Sequence, residues 1–192
     1  MRIVQAAGVL IVASLVMAGP AAAQSEQRVN AYGAAVKEFR DRVDAYLAVQ
    51  RKAAESVPAL KQTDDPAKLT AREQALGEAV RQARAGAKAG DVFGTELASR
   101  IRQVIRKDWA KRSAADRAGL AEDIPPGTLA DVNATYPPTL PLATFPASLL
   151  AALPPLPEDI EYRFVGRHLI LRDVKANIIV DVLPNVLPGA RT

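Results

Sequence analysis

The sequence predicts an α+β protein, mainly α, in which an N-terminal antiparallel helical hairpin or bundle is followed by a Pro-rich segment and a small C-terminal three-stranded antiparallel β meander. Three observations predict it. Residues 24–124 are rich in Ala, Arg and Glu with helical periodicity, residues 125–157 hold nine prolines, and residues 158–184 have the pattern of short strands. From Gln24 the chain is long enough for one domain with a hydrophobic core, so we expect one compact unit over residues 24–192.

The first 23 residues have the composition of a cleaved export signal. Arg2 is the only charge before Glu26, and a largely apolar run follows it. Residues 21–23 are alanines, the small side chains that a signal peptidase requires at its cleavage site. The apolar run is shorter than the ~20 residues of a membrane-spanning helix. We therefore expect cleavage after Ala23 and a periplasmic location.

Composition limits the chemistry that the chain could perform. It has no cysteine, which excludes disulfides, zinc–thiolate sites and thiol catalysis. The net charge is +4, or about +3 once Arg2 is removed, too small to imply a polyanionic partner. The distribution of charge along the chain therefore matters more than its total.

Two helices are predicted to form the hairpin. The first runs from about Ser25 to Glu55 and carries an apolar seam at a/d spacing. The second begins after Asp65, an N-cap residue followed by a first-turn proline, and ends at Gly90. The short connection between them favours antiparallel neighbours. The seam consists of Val29, Tyr32, Val36, Phe39, Val43 and Tyr46, and the facing stripe of Leu69, Leu76, Val80, Ala83 and Ala87.

A third helix is predicted over residues 95–112, and it begins the most basic region of the chain. Basic residues flank or oppose one apolar arc formed by Leu97, Ile101, Val104, Ile105 and Trp109. Two interpretations stay open. The basic face meets anionic lipid, lipopolysaccharide, cell-wall material or nucleic acid, or it is the solvent face of an ordinary bundle helix. The candidate interaction residues are Arg100, Arg102, Arg106, Lys107, Trp109 and Lys111.

The remaining elements are short. A fourth helix is expected from Ser113, which with Asp116 has the spacing of a capping box. The Pro-rich segment is rich in Leu, Ala and Phe, so we expect it to wrap over a core, with a short helix near residues 146–153. The meander needs a support, which the hairpin supplies. Its predicted strands are Ile160–Phe164, His168–Arg172 and Ile178–Leu183, with Pro184 ending the ladder.

Residues with catalytic or metal-binding potential are few. His168 is the only histidine, and Asp173 and Asp181, on the same predicted meander, are its candidate acidic partners. One imidazole with carboxylates is a small ligand set, and no serine has a nucleophile-elbow context. No phosphate-binding loop, dinucleotide fingerprint or EF-hand occurs in the sequence. We therefore predict no catalytic residue, no metal ligand and no cofactor, and a structural role for His168.

Several strings resemble known exported proteins. Glu161–Pro184 and Leu153–Pro157 resemble the ending of an uncharacterised family of exported, periplasmic proteobacterial proteins, and Thr63–Pro66 and Gly90–Phe93 share this likeness. The V-G-x-x-L-x-L-x-D-x-x-x-x-x-I-V run from Val165 resembles the closing hairpin of small periplasmic proteins of the nickel and cobalt homeostasis type. The resemblances imply export and a small terminal hairpin. The second also implies metal binding, which a single histidine does not match.

Three hypotheses for function follow. The first is a non-catalytic periplasmic interaction or structural protein whose hairpin and meander form a platform for another periplasmic protein. The second is a protein that associates with the envelope surface, anionic lipid or cell wall, through the basic helix at residues 95–112. The third is a metal-responsive protein or an enzyme that uses His168. The a/d seam is also compatible with a homodimer, and no nucleic-acid partner is expected.

Overall fold

The structure is a computed structural model that describes residues 20–59, 63–125, 130–139 and 142–188, with side chains from residue 30 onward. Over these residues five helices precede a three-stranded antiparallel sheet, which confirms the predicted fold class. The predicted export signal lies almost entirely outside the described residues. The elements are α1 (Pro20–Glu55), α2 (Pro66–Ala83), α3 (Thr95–Lys111), α4 (Ala114–Glu122), α5 (Ala147–Ala152), β1 (Ile160–Val165), β2 (His168–Asp173) and β3 (Ile178–Leu183).

Helix α1 supplies one wall of the hydrophobic core. It begins at Pro20, earlier than the predicted Ser25, because proline is tolerated in a first turn and the alanines that follow are strong helix formers. Of the predicted seam, Phe39, Val43 and Tyr46 are buried, Tyr32 and Val36 are half-buried, and Val29 lies outside the described side chains. The seam therefore packs inside the chain.

Helices α1 and α2 form the predicted antiparallel hairpin. The start of α2 lies beside the end of α1, since Leu69 and Arg51 line one open cleft of about 540 Å³. Just beyond the other end of α2, the Arg84 guanidinium lies 4.9 Å from the ring centre of Tyr46, farther back along α1. The N-cap is confirmed, because the Asp65 side chain accepts a hydrogen bond from the Ala67 N–H at 3.0 Å.

The predicted end of α2 at Gly90 is wrong. The helix ends at Ala83, and Arg84 leaves the helical conformation with φ −120° and ψ 30°. The Arg84 guanidinium donates to the carbonyl of Val180 in β3 at 2.9 Å. Gly90 does have a positive φ of 91°, but it lies in the loop after the helix, where its N–H donates to Asp181. The helix therefore ends earlier than its local sequence indicates, and the residues that follow it contact the distant sheet.

The apolar stripe of α2 is also narrower than predicted. Leu76 and Val80 are buried, whereas Leu69 is 48 % exposed and Ala83 is exposed. Leu69 is not in the core because the cleft between the two helices stays open on its side. Two residues of the stripe thus anchor α2, and Gly77 between them brings the helix backbone close to the turn after β2.

The sheet has the order β1-β2-β3, and a β-bulge interrupts the pairing of β2 with β3. Leu171 lies opposite Asp181, and Arg172 opposite Ile179, so Val180 is an extra residue on β3. Because of the extra residue, Asp181 lies on the same face of the sheet as Leu171, and this face packs on the helices. Without the bulge, strict alternation would place Asp181 on the opposite face with Ile179.

The sheet is covered on both faces. The helix side forms the main core with α1, α2 and α3. On the other side, residues 130–136 of the Pro-rich segment lie over a second, smaller cluster that includes Ile170 and Ile179. The Asn133 N–H donates to the Ile179 carbonyl at 2.8 Å, and the Ile179 N–H donates to the Ala134 carbonyl at 2.9 Å. This part of the Pro-rich segment therefore wraps over the sheet and continues its hydrogen bonding beside β3.

Candidate functional site

The basic residues of α3 lie on two opposite flanks of the helix. Arg102 and Arg106 are four residues apart and therefore share one flank, which faces the loop after β3. Arg100 lies on the other flank, where its guanidinium is 5.4 Å from the ring centre of Tyr32 in α1. Lys107 and Lys111 share that second flank by their spacing. The predicted set of interaction residues is thus split into two surfaces.

Trp109 belongs to neither flank. It is 9 % exposed and packs in the main core with Ile101 and Ile105. The interpretation that places Trp109 at an interface with lipid is therefore wrong for this fold. The apolar arc of α3 was otherwise predicted correctly, because Leu97 is buried as well and Val104 is half-buried.

Three arginines from two distant parts of the chain converge on one surface cleft of about 220 Å³. Arg102 and Arg106 come from α3, and Arg167 comes from the turn between β1 and β2. We call this feature the arginine cleft; its remaining lining residues are Asn185, Val186 and Pro188. The lining described here contains no carboxylate. The cleft therefore concentrates positive charge in a small volume.

Each of the three guanidiniums is held by a backbone carbonyl. Arg102 donates through Nη2 to the carbonyl of Pro184 at 3.0 Å, and Arg167 donates through Nε to the carbonyl of Leu187 at 3.0 Å. Arg106 donates through Nε to the carbonyl of Arg102 at 3.3 Å. A guanidinium has five N–H donors in a fixed fork, so one bond orients it and leaves the other donors for a ligand.

The positive charge of the arginine cleft is not neutralised within the described part of the chain. None of its arginines forms an ion pair with a carboxylate there, whereas other arginines of the protein do. Arg112 lies 2.6 Å from Asp108, and Arg163 and Arg172 share Glu161 at 2.6 and 2.8 Å. The three arginines of the cleft are thus oriented by main-chain carbonyls, but none of them is paired with a carboxylate of the described residues. An anion could therefore bind to them.

The loop after β3 forms one wall of the arginine cleft, and it is fastened to the turn between β1 and β2. The N–H groups of Val186 and Leu187 donate to the Arg167 carbonyl at 2.8 and 3.2 Å. The Asn185 N–H makes a longer, 3.4 Å bond to Nδ1 of His168. Burial and the neighbouring charge of Arg167 lower the pKa of His168, which favours the neutral imidazole that accepts this bond. His168 therefore supports the wall of the cleft.

The two candidate acidic partners of His168, Asp173 and Asp181, are buried and hydrogen-bonded to other groups. Asp173 lies at the far end of β2, about 16 Å from His168 at the usual rise per strand residue. Its carboxylate accepts from the Tyr46 hydroxyl at 2.5 Å, the Gln50 amide at 2.7 Å, and the N–H groups of Lys175 and Ala176 at 2.8 and 2.9 Å.

Asp181 accepts four backbone hydrogen bonds. Three come from Gly90, Val92 and Phe93 in the loop before α3, at 2.6 to 2.8 Å, and one comes from Val182 at 2.7 Å. Burial raises its pKa, although these four bonds act in the opposite direction. The described residues include no group of three His, Cys, Asp or Glu side chains that could hold a metal ion.

Arg167 and Asn185 are the site residues that sequence analysis missed. Arg167 follows Gly166 in a two-residue turn, and Asn185 follows the strand-ending Pro184 in a left-handed conformation with φ 56°. Both positions looked like ordinary turn residues. Their relation to Arg102 depends on contacts across more than sixty residues, which no local pattern records.

Comparison with known proteins adds no relative. No protein-family model matches the chain, and neither a curated protein nor a solved structure matches it significantly. The resemblances to exported proteins and to the nickel and cobalt homeostasis type therefore stay predictions from the sequence.

Proposed function

We propose that the protein is a non-catalytic periplasmic binding protein that attaches to an anionic surface of the cell envelope through the arginine cleft. The observation that carries the proposal is the convergence of Arg102, Arg106 and Arg167 on one cleft whose described lining has no carboxylate. Uncompensated positive charge at a surface attracts anions and speeds their association. The proposed function therefore follows the hypothesis of association with the envelope surface. Of the basic residues predicted on α3 it keeps Arg102 and Arg106, and it adds Arg167.

The hydrogen bonds of Asp173, Asp181 and His168 within the fold support a binding role without catalysis. Asp173 and Asp181 have no exposed surface and each accepts four hydrogen bonds that hold the fold together. General acid–base catalysis needs a group within reach of a substrate proton, and these carboxylates face the protein interior. The His168 Nδ1 atom is engaged by the chain itself.

The periplasmic part of the proposal depends on the predicted export signal. In α1, the described side chains that reach the core begin at Tyr32, so cleavage after Ala23 would leave that packing intact. Over the described residues, no helix combines the length and the apolar character needed to cross a bilayer. N-terminal sequencing of the protein from a periplasmic fraction should begin at Gln24. A cytoplasmic protein that keeps Met1 would contradict export.

Co-sedimentation with lipid vesicles tests the binding function. The mature chain should sediment with vesicles rich in an anionic lipid and stay in solution with phosphatidylcholine vesicles. Binding should weaken between about 0.1 M and about 1 M salt, because the Debye length falls from ~10 Å to ~3 Å over that range. The double substitution Arg102→Glu with Arg106→Glu should abolish sedimentation.

A matched control exists on the opposite flank of α3. Lys107→Glu with Lys111→Glu changes the net charge by the same amount, on the same helix and at the same spacing. Both lysines are exposed, so the fold should tolerate the change. If this control lost binding as completely as the arginine double variant, net charge rather than the arginine cleft would be responsible. Equal binding to neutral vesicles, or binding that salt does not weaken, would also contradict the proposal.

The other two hypotheses stay predictions from the sequence. A protein partner should be recovered after crosslinking in the periplasm, in one defined ratio to this chain, and the vesicle assay would then be negative. A metal or catalytic role for His168 should make the host phenotype sensitive to His168→Ala. If that substitution leaves the phenotype unchanged, the role of His168 is the structural one described above.

A further inference from the structure

The volume of the arginine cleft limits what it can bind. At about 220 Å³ it is smaller than the ~300–1,000 Å³ of pockets that enclose whole drug-sized ligands. It can therefore take one small charged group while the rest of the bound molecule stays outside. That arrangement suits a charged group displayed on a surface as well as a free ion of the same chemistry.

The number and kind of donors limit the group further. A carboxylate has one charge and two oxygens, and a single guanidinium binds both of them in a bidentate pair. Three guanidiniums around one small cleft exceed that requirement. A phosphate monoester carries about −1.5 to −2 charges near pH 7 and three acceptor oxygens, so it can engage all three arginines. The Asn185 side chain lines the same cleft and has an amide that can donate as well.

The fixed orientation of the donors favours this ligand. Arg102, Arg106 and Arg167 are each held by one hydrogen bond to a main-chain carbonyl, as described above. Binding therefore immobilises less of each side chain than it would for freely rotating lysines. The wall that carries Asn185 is tied to the Arg167 carbonyl through Val186 and Leu187. The donors come from α3, the β1–β2 turn and the final loop, so the site exists only in the folded chain.

We propose that the arginine cleft binds a phosphate group, either the terminal phosphate of a lipid headgroup or free phosphate. The inference rests on the proposed function, because it names the chemical group that the same cleft recognises. Phosphate oxygens accept two or more N–H bonds from the guanidiniums, and the hydrogen bonds of the guanidiniums to the carbonyls of Pro184, Arg102 and Leu187 are retained. No covalent step is involved.

Calorimetric titration of the mature chain with inorganic phosphate tests the inference. Binding should saturate at one phosphate per chain. Arg167→Gln should lower the affinity for phosphate by at least about tenfold, because losing a hydrogen bond to a charged group reduces affinity by roughly that factor. Arg167→Lys keeps the positive charge but loses the forked set of guanidinium donors. Its phosphate affinity should therefore lie between those of the wild type and Arg167→Gln. Acetate, which has one charge and two oxygens, should bind much more weakly than phosphate.

Arg117→Gln is the matched control. Arg117 is also held by main-chain carbonyls, those of Arg112 and Ser113, but it lies on α4 outside the arginine cleft. Its substitution should leave phosphate affinity unchanged. Equal losses in the Arg117 and Arg167 variants would show non-specific attraction and overturn the inference. A thermal melt of each variant establishes that the chain is folded before the titration is interpreted.

Vesicles containing phosphatidic acid separate the two sources of phosphate. If inorganic phosphate displaces the protein from these vesicles, the headgroup occupies the arginine cleft and both proposals stand. If phosphate binds but the vesicles do not, free phosphate is the ligand and the envelope function fails. If the vesicles bind through Arg102 and Arg106 but inorganic phosphate shows no saturable binding, the envelope function stands and the phosphate inference is overturned.

Discussion

The hydroxyl of Tyr46 in α1 donates a 2.5 Å hydrogen bond to the carboxylate of Asp173 at the end of β2. The two residues are 127 positions apart, so this bond joins the first long helix to the sheet. Burial and the charge of Asp173 raise the pKa of Tyr46 far above its ordinary value, which keeps the hydroxyl protonated. Tyr46, which the sequence pattern places in the apolar seam, thus also donates a hydrogen bond to a buried carboxylate.

Tyr46→Phe should destabilise the protein by roughly 1.5–3 kcal/mol, the range for a hydrogen bond to a charged group. Asp173 would retain Gln50 and two backbone donors, so the fold should survive. Urea unfolding of the two chains measures the difference. Tyr32→Phe removes the same atom from the same seam at a half-buried position and should change stability by less than about 0.5 kcal/mol. Equal stability of wild type and Tyr46→Phe would contradict this role.

Asp181→Ala should be more damaging, by about 3 kcal/mol or more. It would leave three loop N–H groups without their acceptor, and a buried unsatisfied donor costs about 1–3 kcal/mol. Asp91→Ala is the control in the same loop, because Asp91 is exposed and accepts one hydrogen bond, from Lys88. Its cost should stay near 1 kcal/mol. Unfolding midpoints in urea compare the stabilities of the two variants. A larger loss of stability from Asp91→Ala would contradict the conclusion that Asp181 holds the loop.

Gly77→Ala and Gly119→Ala should act in opposite directions. A Cβ on Gly77 would lie 2.7 Å from the Ala176 carbonyl oxygen, whereas nothing lies within 4 Å of a Cβ on Gly119. Overpacking against backbone costs about 1–3 kcal/mol, so Gly77→Ala should destabilise. Gly119→Ala, in the exposed helix α4, should stabilise by up to about 1 kcal/mol through helix propensity. Thermal melts of both variants decide whether α2 approaches the turn after β2 this closely.

His168 should make stability fall as the solution becomes mildly acidic. Its pKa in the folded state is lowered, chiefly by burial and then by Arg167, so the folded chain binds a proton less readily than the unfolded chain. The stabilising contribution is therefore complete above the ordinary value of about 6.5 and is lost as pH falls through the lower folded-state pKa. Urea midpoints between about pH 7.5 and pH 5 measure it, above the range where most carboxylates titrate. A His168→Gln chain with the same slope would exclude His168 as the cause.

Local patterns predicted most elements because their causes are local. The Ser113–Asp116 capping box is present as expected, with Ser113 accepting from the Asp116 N–H at 3.1 Å. The start of α3 at Thr95 and the end of β3 at Leu183 also match the sequence prediction. Helical periodicity and caps act over three or four residues, and strand alternation over two, so a sequence window contains the whole interaction.

The functional site could be predicted only in part. The basic character of α3 was evident, and it pointed to Arg102 and Arg106 among six candidates. The sequence did not separate these two from Arg100, Lys107 and Lys111, since the flank that meets the final loop depends on how α3 packs. Arg167 had no signal beyond its place in a predicted turn.

The sequence by itself determined the fold class, the antiparallel hairpin and the extent of the strands, because periodicity and turn residues encode them locally. Only the tertiary structure decided where α2 ends, which face Asp181 occupies and which arginines meet. Just past the end of α2, Arg84 reaches Val180 of β3, and the bulge at Val180 sets the face that Asp181 occupies. Arg84 and Val180, like Arg102 and Arg167, are about sixty to a hundred positions apart, and the free energy that brings such residues together comes from packing and buried hydrogen bonds that form only when the helices and the sheet meet.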